Sequence, residues 1–258
     1  MSELTVLSGG GSTAAPMSTW SEMPPKALKG VTVVTPWLDH PELIGPYRLI
    51  TDDAAQVIII DNGSGPEGAA ALEAAFGPFD HEQIRMVIRL EEPIGFGAAC
   101  NLGLDHANEP IVCFLNNDVL PVAWAENAPQ KPTAMELLEA CVQPGQLYGV
   151  THGHQFVSAV PIPYIEGWCI AGRTEDLRAL GGFDTEHYHG NYWEDNDLCF
   201  RAMCAGMTLH GVRLPIQHIG NTTARGVEGA YARSMPNCIA WQRRVLELAR
   251  QKRLAVTP

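Results

Sequence analysis

Short apolar runs, rich in β-branched residues, alternate with alanine- and leucine-rich segments from residue 31 onward. The runs are VTVVTP (31–36), VIIID (57–61), MVIRL (86–90) and IVCFLN (111–116). They are apolar throughout rather than at alternate positions, which is typical of strands covered on both faces of a sheet. Helices are predicted between them, at 41–49, 68–76 and 97–107. Repeated strand–helix–strand units predict a mostly parallel sheet.

The second half of the chain has shorter strand-like runs and more helical segments. A helix is predicted over 133–142, followed by the strand-like runs LYGVTH (147–152), FVSAV (156–160) and WCIAG (168–172). Further helices are predicted at 175–180, 193–205 and 236–252, the last with an apolar face of Ile239, Val245, Leu246 and Ala249. The whole pattern predicts an α/β fold with a mostly parallel central sheet flanked by helices.

These patterns divide the chain into three parts. Residues 1–28 are rich in Gly, Ser and Pro and are expected to form a flexible leader. Residues 29–232 are expected to form one domain, in which 29–120 bind a nucleotide and 121–232 carry acceptor and catalytic residues. Residues 233–258 are expected to form a C-terminal amphipathic helix and tail.

Charge and hydropathy limit the partners of this chain. Its 258 residues include 17 Lys and Arg against 29 Asp and Glu, a formal net charge of −12. Such an acidic body repels phosphate backbones at long range, which disfavours nucleic-acid partners. Segment 240–253 is locally basic, so it either complements its own helix dipole or contacts an anionic membrane surface from outside. We recognise neither a membrane-spanning run of about 20 apolar residues nor a secretory signal.

The seven cysteines favour a reducing compartment. They are odd in number and scattered, and no two of them form a C-x-x-C pair. A disulfide framework or a thiolate zinc site is therefore disfavoured. We expect buried, reduced thiols in a cytoplasmic protein.

Polar residues follow two of the predicted strands. VIIID continues into DNGSG (61–65), and IVCFL continues into NND (116–118). Ligands bind outside the carboxyl ends of parallel strands. If the strands that precede Asp61 and Asp118 are neighbours, as we expect, both carboxylates face one crevice. Turn formation alone would also explain either motif, since Asn and Asp favour turns.

The segment GFGAAC (95–100) imitates the G-x-G-x-x-G motif of dinucleotide-binding proteins. Its third glycine is replaced by Cys100, and it lies far from the first strand, which disfavours a dehydrogenase. Gly95 and Gly97 still indicate a helix that begins close to a ligand or a strand, where a Cβ has no room.

The segment GNYWEDNDLCFRAMCAG (190–206) places three carboxylates at the start of a helix. The helix dipole stabilises Glu194, Asp195 and Asp197 there, and Arg201 is placed to pair with one of them. Crowding of like charges raises the pKa of a carboxyl group, which suits a general base. Further along, His218 is either a structural histidine or the partner of a carboxylate in an oxygen and nitrogen ligand set for Mn²⁺ or Mg²⁺.

In this order the motifs resemble the inverting family 2 glycosyltransferases of GT-A fold, in particular their rhamnosyltransferase-like branch. The matching motifs, between 31 and 223, are VTVVTP, IIIDNGSG, GFGAACNLGL, FLNNDV, LRALGGFD, YWEDNDLCFRAMCAG and the later His218. The D-x-D metal motif of the family corresponds to NND at 116–118, so its first acid is an asparagine. Asp118 is left as the main carboxylate ligand.

The resemblance implies a donor site, position by position, in the first half of the chain. Asp61 would hydrogen-bond the nucleobase, segment 95–101 would pack on the nucleoside, and Asn117 and Asp118 would reach the ribose and the metal-bound diphosphate. The full set implied in donor binding is Thr35, Pro36, Asp61, Asn62, Gly95, Phe96, Asn101, Asn116, Asn117 and Asp118.

The resemblance also implies a reaction centre and an activity. Asp195 would be the catalytic base, with Glu194 as the alternative, and Asp118 and His218 would hold Mn²⁺ or Mg²⁺. The activity would be metal-dependent, inverting transfer of a sugar from a nucleoside-diphosphate sugar to an acceptor hydroxyl. A glycan or glycolipid in bacterial-type surface glycan synthesis is the implied acceptor.

Several alternatives stay open at this point. Trp168 and Trp193 would offer flat faces to an acceptor sugar, or they are core residues. A sugar nucleotidyltransferase would need a Gly-rich loop with Arg and Lys after the first strand, where this chain has PWLDHPEL. A non-catalytic nucleotide- or glycan-binding relative is the other class, and the acidic body disfavours transfer onto a modified DNA base. A homodimer through the last helix is compatible with the sequence.

Overall fold

A seven-stranded sheet with helices on both faces lies at the centre of the computed structural model, which describes residues 28–77, 83–128, 130–189, 192–220 and 234–251. The strands are β1 (Lys29–Trp37), β2 (Ala54–Asn62), β3 (Ile84–Leu90), β4 (Ile111–Leu115), β5 (Val119–Pro121), β6 (Gln146–Gly149), β7 (His152–Val157), β8 (Val160–Ile165), β9 (Cys169–Arg173), β10 (Thr208–Gly211) and β11 (Ile216–His218). The helices are α1 (Ile44–Thr51), α2 (Pro66–Phe76), α3 (Phe96–Asp105), α4 (Ala134–Cys141), α5 (Thr174–Ala179), α6 (Glu194–Cys204) and α7 (Met235–Gln251). The predicted leader, as far as residue 27, and the tail from residue 252 lie outside the described residues.

The strand order of the central sheet is β10-β6-β9-β4-β1-β2-β3. Every neighbouring pair is parallel except the two that involve β9. The predicted α/β fold, with a mostly parallel central sheet flanked by helices, is confirmed. One detail is wrong: the strands that precede Asp61 and Asp118 are not neighbours, because β1 lies between β2 and β4. The strand order reverses at β1, and ligand crevices form at such reversals.

Alternate residues of the buried strands face two separate hydrophobic layers. In β2, Val57 and Ile59 pack with α1, α2 and α4, whereas Ile58 and Ile60 pack with α3, α5 and α6. Both faces are covered, which is why the strand is apolar at every position. The same expectation is wrong for MVIRL, because β3 is an edge strand whose side chains are all at least partly exposed.

Glycines allow α3 to begin and pack close to its neighbours. Gly95, directly before the helix, has φ 87°, in the left-handed region that favours glycine. A Cβ at Gly97 would lie 3.0 Å from Phe183 Cβ, and one at Gly103 would lie 2.2 Å from Val34 Cγ1. The expectation that a Cβ has no room is thus confirmed at Gly97, whose close neighbour is Phe183.

The segment FVSAV is a hairpin turn and not a strand. β7 ends at Val157, β8 begins at Val160, and Ser158 and Ala159 between them both have positive φ. Two-residue hairpin turns need this conformation because their twist matches that of the flanking strands.

The apolar face of α7 agrees only in part with the predicted one. Val245 is buried and Leu246 packs on the same cluster, as predicted, but Ile239 is 45% exposed, and Cys238 and Trp241 are buried in its place. The helix packs on α6 and on the β7–β8 hairpin, and these partners select the buried face.

All seven cysteines are free thiols, and five of them are buried. The predicted burial of the thiols is thus found at five positions, while Cys141 and Cys204 are half-buried. Within the described ranges, no helix combines the length and the apolar composition of a membrane span.

Candidate functional site

The turn after β4 brings Asp118 against His218. β5 begins directly after Asp118 and pairs antiparallel with β11, so that Val119 lies opposite His218. Asp118 Oδ1 lies 2.9 Å from His218 Nε2, and the Ile219 amide donates to the Asp118 carbonyl at 2.9 Å. Two residues 100 positions apart in sequence are therefore in direct contact.

Trp168 extends this contact along the edge of the sheet. Because β9 is antiparallel to β4, it begins at the edge where β4 ends, and the Asn116 amide donates to the Trp168 carbonyl at 2.9 Å. The Trp168 indole stacks on the His218 imidazole, with centroids 4.9 Å apart and planes 8° apart. Trp168 is buried, so the ring face that covers His218 is not open to a sugar.

Asp195 joins the same cluster from the first turn of α6. Its Oδ2 accepts a hydrogen bond from the Gly167 amide at 2.9 Å, directly before Trp168, and its Oδ1 accepts one from the Asn196 amide at 2.8 Å. Contacts therefore run without interruption from Asp118 through His218, Trp168 and Gly167 to Asp195. The sequence did not indicate Gly167, whose backbone amide carries no signal in its residue type.

Glu194 has surroundings different from those of Asp195. It is only 7% exposed and lines a cavity of about 140 Å³ together with Gly97, Tyr188 and other residues near the start of α3. Asp195, by contrast, is half-buried. The structure thus separates the two carboxylates that the sequence left as alternatives.

Burial raises the pKa of both carboxyl groups. For Glu194 the charge of Asp195 adds to the effect of burial. For Asp195 the amides of Asn196 and Gly167 stabilise the charged form and oppose burial, while the charge of Glu166 raises the pKa further. Each group therefore binds its proton more tightly than an ordinary carboxylate.

Asp197, the third acid of the segment, is structural. It is fully buried and accepts a hydrogen bond from Arg201 Nε at 2.6 Å, as expected of an ion pair between Arg201 and a nearby acid. Arg244 Nε lies 3.3 Å from its other oxygen, which also accepts a hydrogen bond from the Tyr188 hydroxyl at 3.2 Å.

Asp118 and His218 fit a divalent cation as two of its ligands. Donor atoms about 2.1 Å from Mg²⁺ at adjacent octahedral positions are about 3 Å apart, close to the 2.9 Å between Oδ1 and Nε2. Among the residues that the structure describes, no group of three His, Cys, Asp or Glu side chains could hold a metal ion. Asn116, whose Nδ2 lies 3.4 Å from His218 Nε2, stands in place of a further acid. Mg²⁺ commonly binds one or two carboxylates, several waters and substrate phosphates, so a two-residue set suffices.

Asn117 offers an unused donor in the same turn. The residue is 7% exposed, and its buried Nδ2 has no hydrogen-bond partner within the described part of the chain. Buried amide groups of native proteins are normally hydrogen-bonded, and each exception calls for an explanation. A bound ligand would supply the missing acceptor.

Asp61, one residue before the end of β2, is a buried, paired carboxylate. Its Oδ1 accepts from the Ser64 amide at 2.9 Å and its Oδ2 from Arg89 Nη1 at 3.1 Å. The register of β2 and β3 places Arg89 directly beside Asp61. Sequence reasoning missed Arg89, although the aligned ends of VIIID and MVIRL were a signal.

A cavity of about 390 Å³ opens beside Asp61, between α2 and β3. Val87, Arg89 and Glu73 are among its other lining residues. Neither this cavity nor the one beside Glu194 is lined by Asp118 or Asp195. Residues 221–233, which follow His218 closely, lie outside the described residues.

Two side chains implied in donor binding are used elsewhere. Thr35 is fully buried and shares a hydrogen bond of 2.5 Å with the Tyr47 hydroxyl in the core. The Asn101 amide donates to the Phe183 carbonyl and accepts from the Phe183 amide, each at 2.8 Å. Contrary to expectation, the Thr35 side chain is buried in the core, and the Asn101 amide is bound to the backbone of Phe183.

Trp193 is a core residue, which corrects the expectation of a platform for sugars. It is 7% exposed and packs on Trp241, with ring centroids 5.5 Å apart. Its packing on Trp241 of α7 explains its burial.

The remaining donor residues lie near the carboxyl edge of the sheet. Pro36 is the penultimate residue of β1 and lies beside Ile60 of β2. Asn62 accepts from the Ile94 amide at 2.9 Å and so ties the end of β2 to the loop that leads to Gly95 and Phe96. This loop therefore has a fixed place next to the strand ends.

Comparisons with known proteins fit this arrangement. Residues 47–122 match the model of glycosyl transferase family 2. No curated protein sequence matches the chain significantly.

Two solved structures are similar to the chain. One is the mannosyltransferase PcManGT from Pyrobaculum calidifontis in complex with GDP-Man and Mn²⁺, with a TM-score of 0.53 and 18% identity over 76% of this chain and 59% of that one. The other is GalNAc-T7 with UDP, GalNAc and Mn²⁺, with a TM-score of 0.54 and 14% identity over 72% of this chain and 44% of that one. The chain therefore spans only about half the length of these proteins. It has the GT-A fold of glycosyltransferases, and its segment 47–122 matches glycosyl transferase family 2.

Proposed function

We propose that the chain is a metal-dependent, inverting glycosyltransferase that moves a sugar from a nucleoside-diphosphate sugar to an acceptor hydroxyl. The observation that carries the proposal is the unbroken run of contacts from Asp118 through His218, Trp168 and Gly167 to Asp195. It joins the two proposed metal ligands to the proposed base at one edge of the sheet. The fold and the family match over 47–122 support the same activity.

Asp195 is proposed as the general base. It is half-buried, and the Gly167 amide orients its Oδ2. As the acceptor oxygen bonds to the anomeric carbon, the bond from that carbon to the diphosphate breaks and the hydroxyl proton passes to Asp195. Attack opposite the leaving group inverts the anomeric configuration. A base whose pKa is raised by burial takes the proton more readily than an ordinary carboxylate.

The donor is proposed to bind along the ends of β2 and β4. A divalent cation, Mn²⁺ or Mg²⁺, bound by Asp118 and His218 would neutralise charge on the diphosphate leaving group. Asn117 Nδ2, buried and without a described partner, would donate to a phosphate or ribose oxygen. Arg89 would donate to the edge of a nucleobase, held in place by Asp61, whose buried oxygens already accept from the Ser64 amide and from Arg89.

Finer features of the proposal rest on the resemblance or on the sequence alone. The resemblance implies a hexose as the transferred sugar and a glycan or glycolipid acceptor in surface glycan synthesis. The scattered cysteines favour a cytoplasmic location, the basic segment 240–253 would make any peripheral membrane contact, and the last helix would form a homodimer.

A binding and turnover experiment tests the function. Binding is measured as the thermal shift with GDP-mannose, UDP-GalNAc and dTDP-rhamnose, each with Mn²⁺ and with EDTA. Turnover is then measured as the release of nucleoside diphosphate from each donor. Asp195→Asn is expected to lower turnover by about 10²–10⁴-fold while nucleotide binding persists, because general-base catalysis has that magnitude. Asp118→Ala is expected to remove the part of nucleotide affinity that depends on Mn²⁺.

The control is Asp105→Asn, which removes an exposed carboxylate at the end of α3 and should behave as the unmodified protein. Near-normal turnover by Asp195→Asn, or equal affinity with Mn²⁺ and with EDTA, would contradict the proposal. Consumption of pyrophosphate with the nucleotide sugar would instead indicate a nucleotidyltransferase. Binding without any turnover would indicate a non-catalytic relative.

A further inference from the structure

We propose that the C-terminal helix α7 positions the catalytic carboxylate, through Asn237, Trp241 and Arg244. This inference rests on the proposed role of Asp195. None of the three side chains is placed at the strand ends that bind the donor, so they are positioning residues. They act on the segment that leads into α6.

That segment enters α6 through a strained backbone. Tyr192 and Trp193 have φ of 77° and 79°, in the left-handed region that residues with a Cβ rarely adopt. Such a conformation persists only where surrounding contacts hold it. Because α6 begins at the next residue, this turn determines where Asp195 lies relative to Gly167.

Asn237 and Trp241 hold this turn from α7. Asn237 Nδ2 donates to the carbonyl of His189 at 3.1 Å and to that of Tyr192 at 3.2 Å. Trp241 is buried and packs on the Trp193 ring. One face of α7 therefore contacts both strained residues.

Arg244 lies seven residues after Asn237 on α7 and forms contacts on both sides of the strained segment at Tyr192 and Trp193. Its Nη1 donates to Asp184, on the loop before the turn, and its Nε lies 3.3 Å from Asp197, two residues after Asp195. Asp197 is fully buried and is also held by Arg201. A single side chain thus connects the two ends of the segment that carries the base.

The experiment compares two adjacent arginines of α7. Arg244→Ala is expected to lower kcat for release of nucleoside diphosphate from GDP-mannose, UDP-GalNAc or dTDP-rhamnose by about tenfold or more. KM for the donor and the Mn²⁺-dependent affinity should change less than about twofold, because the strand ends are untouched. Arg243→Ala removes the same charge from an exposed position and should leave kcat unchanged.

A second variant covers the case in which Arg244→Ala fails to fold. Asn237→Asp keeps the size of the side chain but turns an acceptor towards two carbonyl oxygens, so kcat should again fall without a matching change in KM. Arg244→Lys keeps the charge and should restore part of kcat.

A kcat for Arg244→Ala and Asn237→Asp equal to that of Arg243→Ala would overturn the inference, as would a loss shared equally by kcat and donor affinity. If the unmodified protein turns over none of the donors, the proposed function fails, and this role of α7 fails with it.

Discussion

Asp195 and Asp197 are two residues apart in the first turn of α6, but their surroundings assign them different roles. Asp197 is fully buried and forms ion pairs with Arg201 and Arg244. Asp195 accepts hydrogen bonds from the backbone amides of Gly167 and Asn196 and keeps partial exposure. A paired carboxylate is a poor base, whereas a desolvated one without a cationic partner is a good one.

The environment of Asp195 predicts a pH dependence of the transfer rate. The base must be ionised to accept a proton, so the rate should fall as the pH drops through its raised pKa. Glu166, Glu194 and Tyr164 are titratable groups near it, and the charge of Glu166 raises the pKa of Asp195. Glu166→Gln should therefore shift the acidic limb of kcat to lower pH, by up to about one unit.

Profiles of kcat between pH 5 and 8 test this prediction. Glu175→Gln serves as the control, since Glu175 is exposed on α5 and should leave the limb in place. If the acidic limb of the kcat profile is unchanged or moves to higher pH in Glu166→Gln, another group or another step determines that limb.

At the residue scale, the sequence predicted which side chains belong to the site more accurately than it predicted their contacts. The resemblance implied Asp118 and His218 as a pair, and the structure brings them together. The partners of Thr35 and Asn101 were missed. The Phe183 that satisfies Asn101 lies 82 positions away, and no local pattern encodes such a contact.

At the scale of elements, periodicity predicted most strands and helices but not their neighbours. β1, β2 and β4 lie where the apolar runs placed them, yet the order of the sheet inserts β1 between the other two. Local sequence determines whether a segment is a strand, while crossover connections determine which strand it joins. The same limit applies to α7, whose buried face is selected by α6 and the hairpin.

The contact between α3 and β1 gives a prediction for stability. Gly103→Ala would place a Cβ 2.2 Å from Val34 Cγ1, inside a core that cannot move aside. Overpacking of this kind costs about 1–3 kcal/mol. The free energy of unfolding should therefore fall by that amount in urea titrations.

Gly45→Ala is the matched control for the same substitution in a helix. Nothing lies within 4 Å of a Cβ at Gly45, so alanine should raise the free energy of unfolding by up to about 1 kcal/mol. Equal effects of the two substitutions would mean that α3 and β1 are not packed as closely as the structure shows.

At the scale of the whole molecule, α7 is integrated into the body of the protein. A third hydrophobic cluster, which includes Trp241 and Val245, packs α7 against α6 and the β7–β8 hairpin. Arg244 adds an ion pair with Asp184, 60 positions earlier in the chain. The sequence predicted the amphipathic helix, but its charge pattern does not identify an acid so far away.

Because of this ion pair, the free energy of unfolding of the whole protein should depend on pH. Burial raises the pKa of Asp184, but hydrogen bonds from the His187 amide and from Arg244 outweigh it and hold that pKa at about 2. Because the folded-state value lies below the unfolded one, the stabilisation is complete above about pH 4 and is lost as the pH falls towards 2. Asp184→Asn should therefore lower the free energy of unfolding by about 1–2 kcal/mol at pH 7, after allowance for solvent screening, and by clearly less at pH 3.

Urea titrations at pH 7, 5, 4 and 3 measure this difference. Glu186→Gln removes a charge from an exposed position in the same loop and should show a small difference from the unmodified protein at every pH. A difference for Asp184→Asn that is constant with pH would mean that the carboxylate contributes by packing alone. The contact with Arg244 would then not couple α7 to the protonation of the loop, since a charge-dependent contact must weaken when the charge is lost.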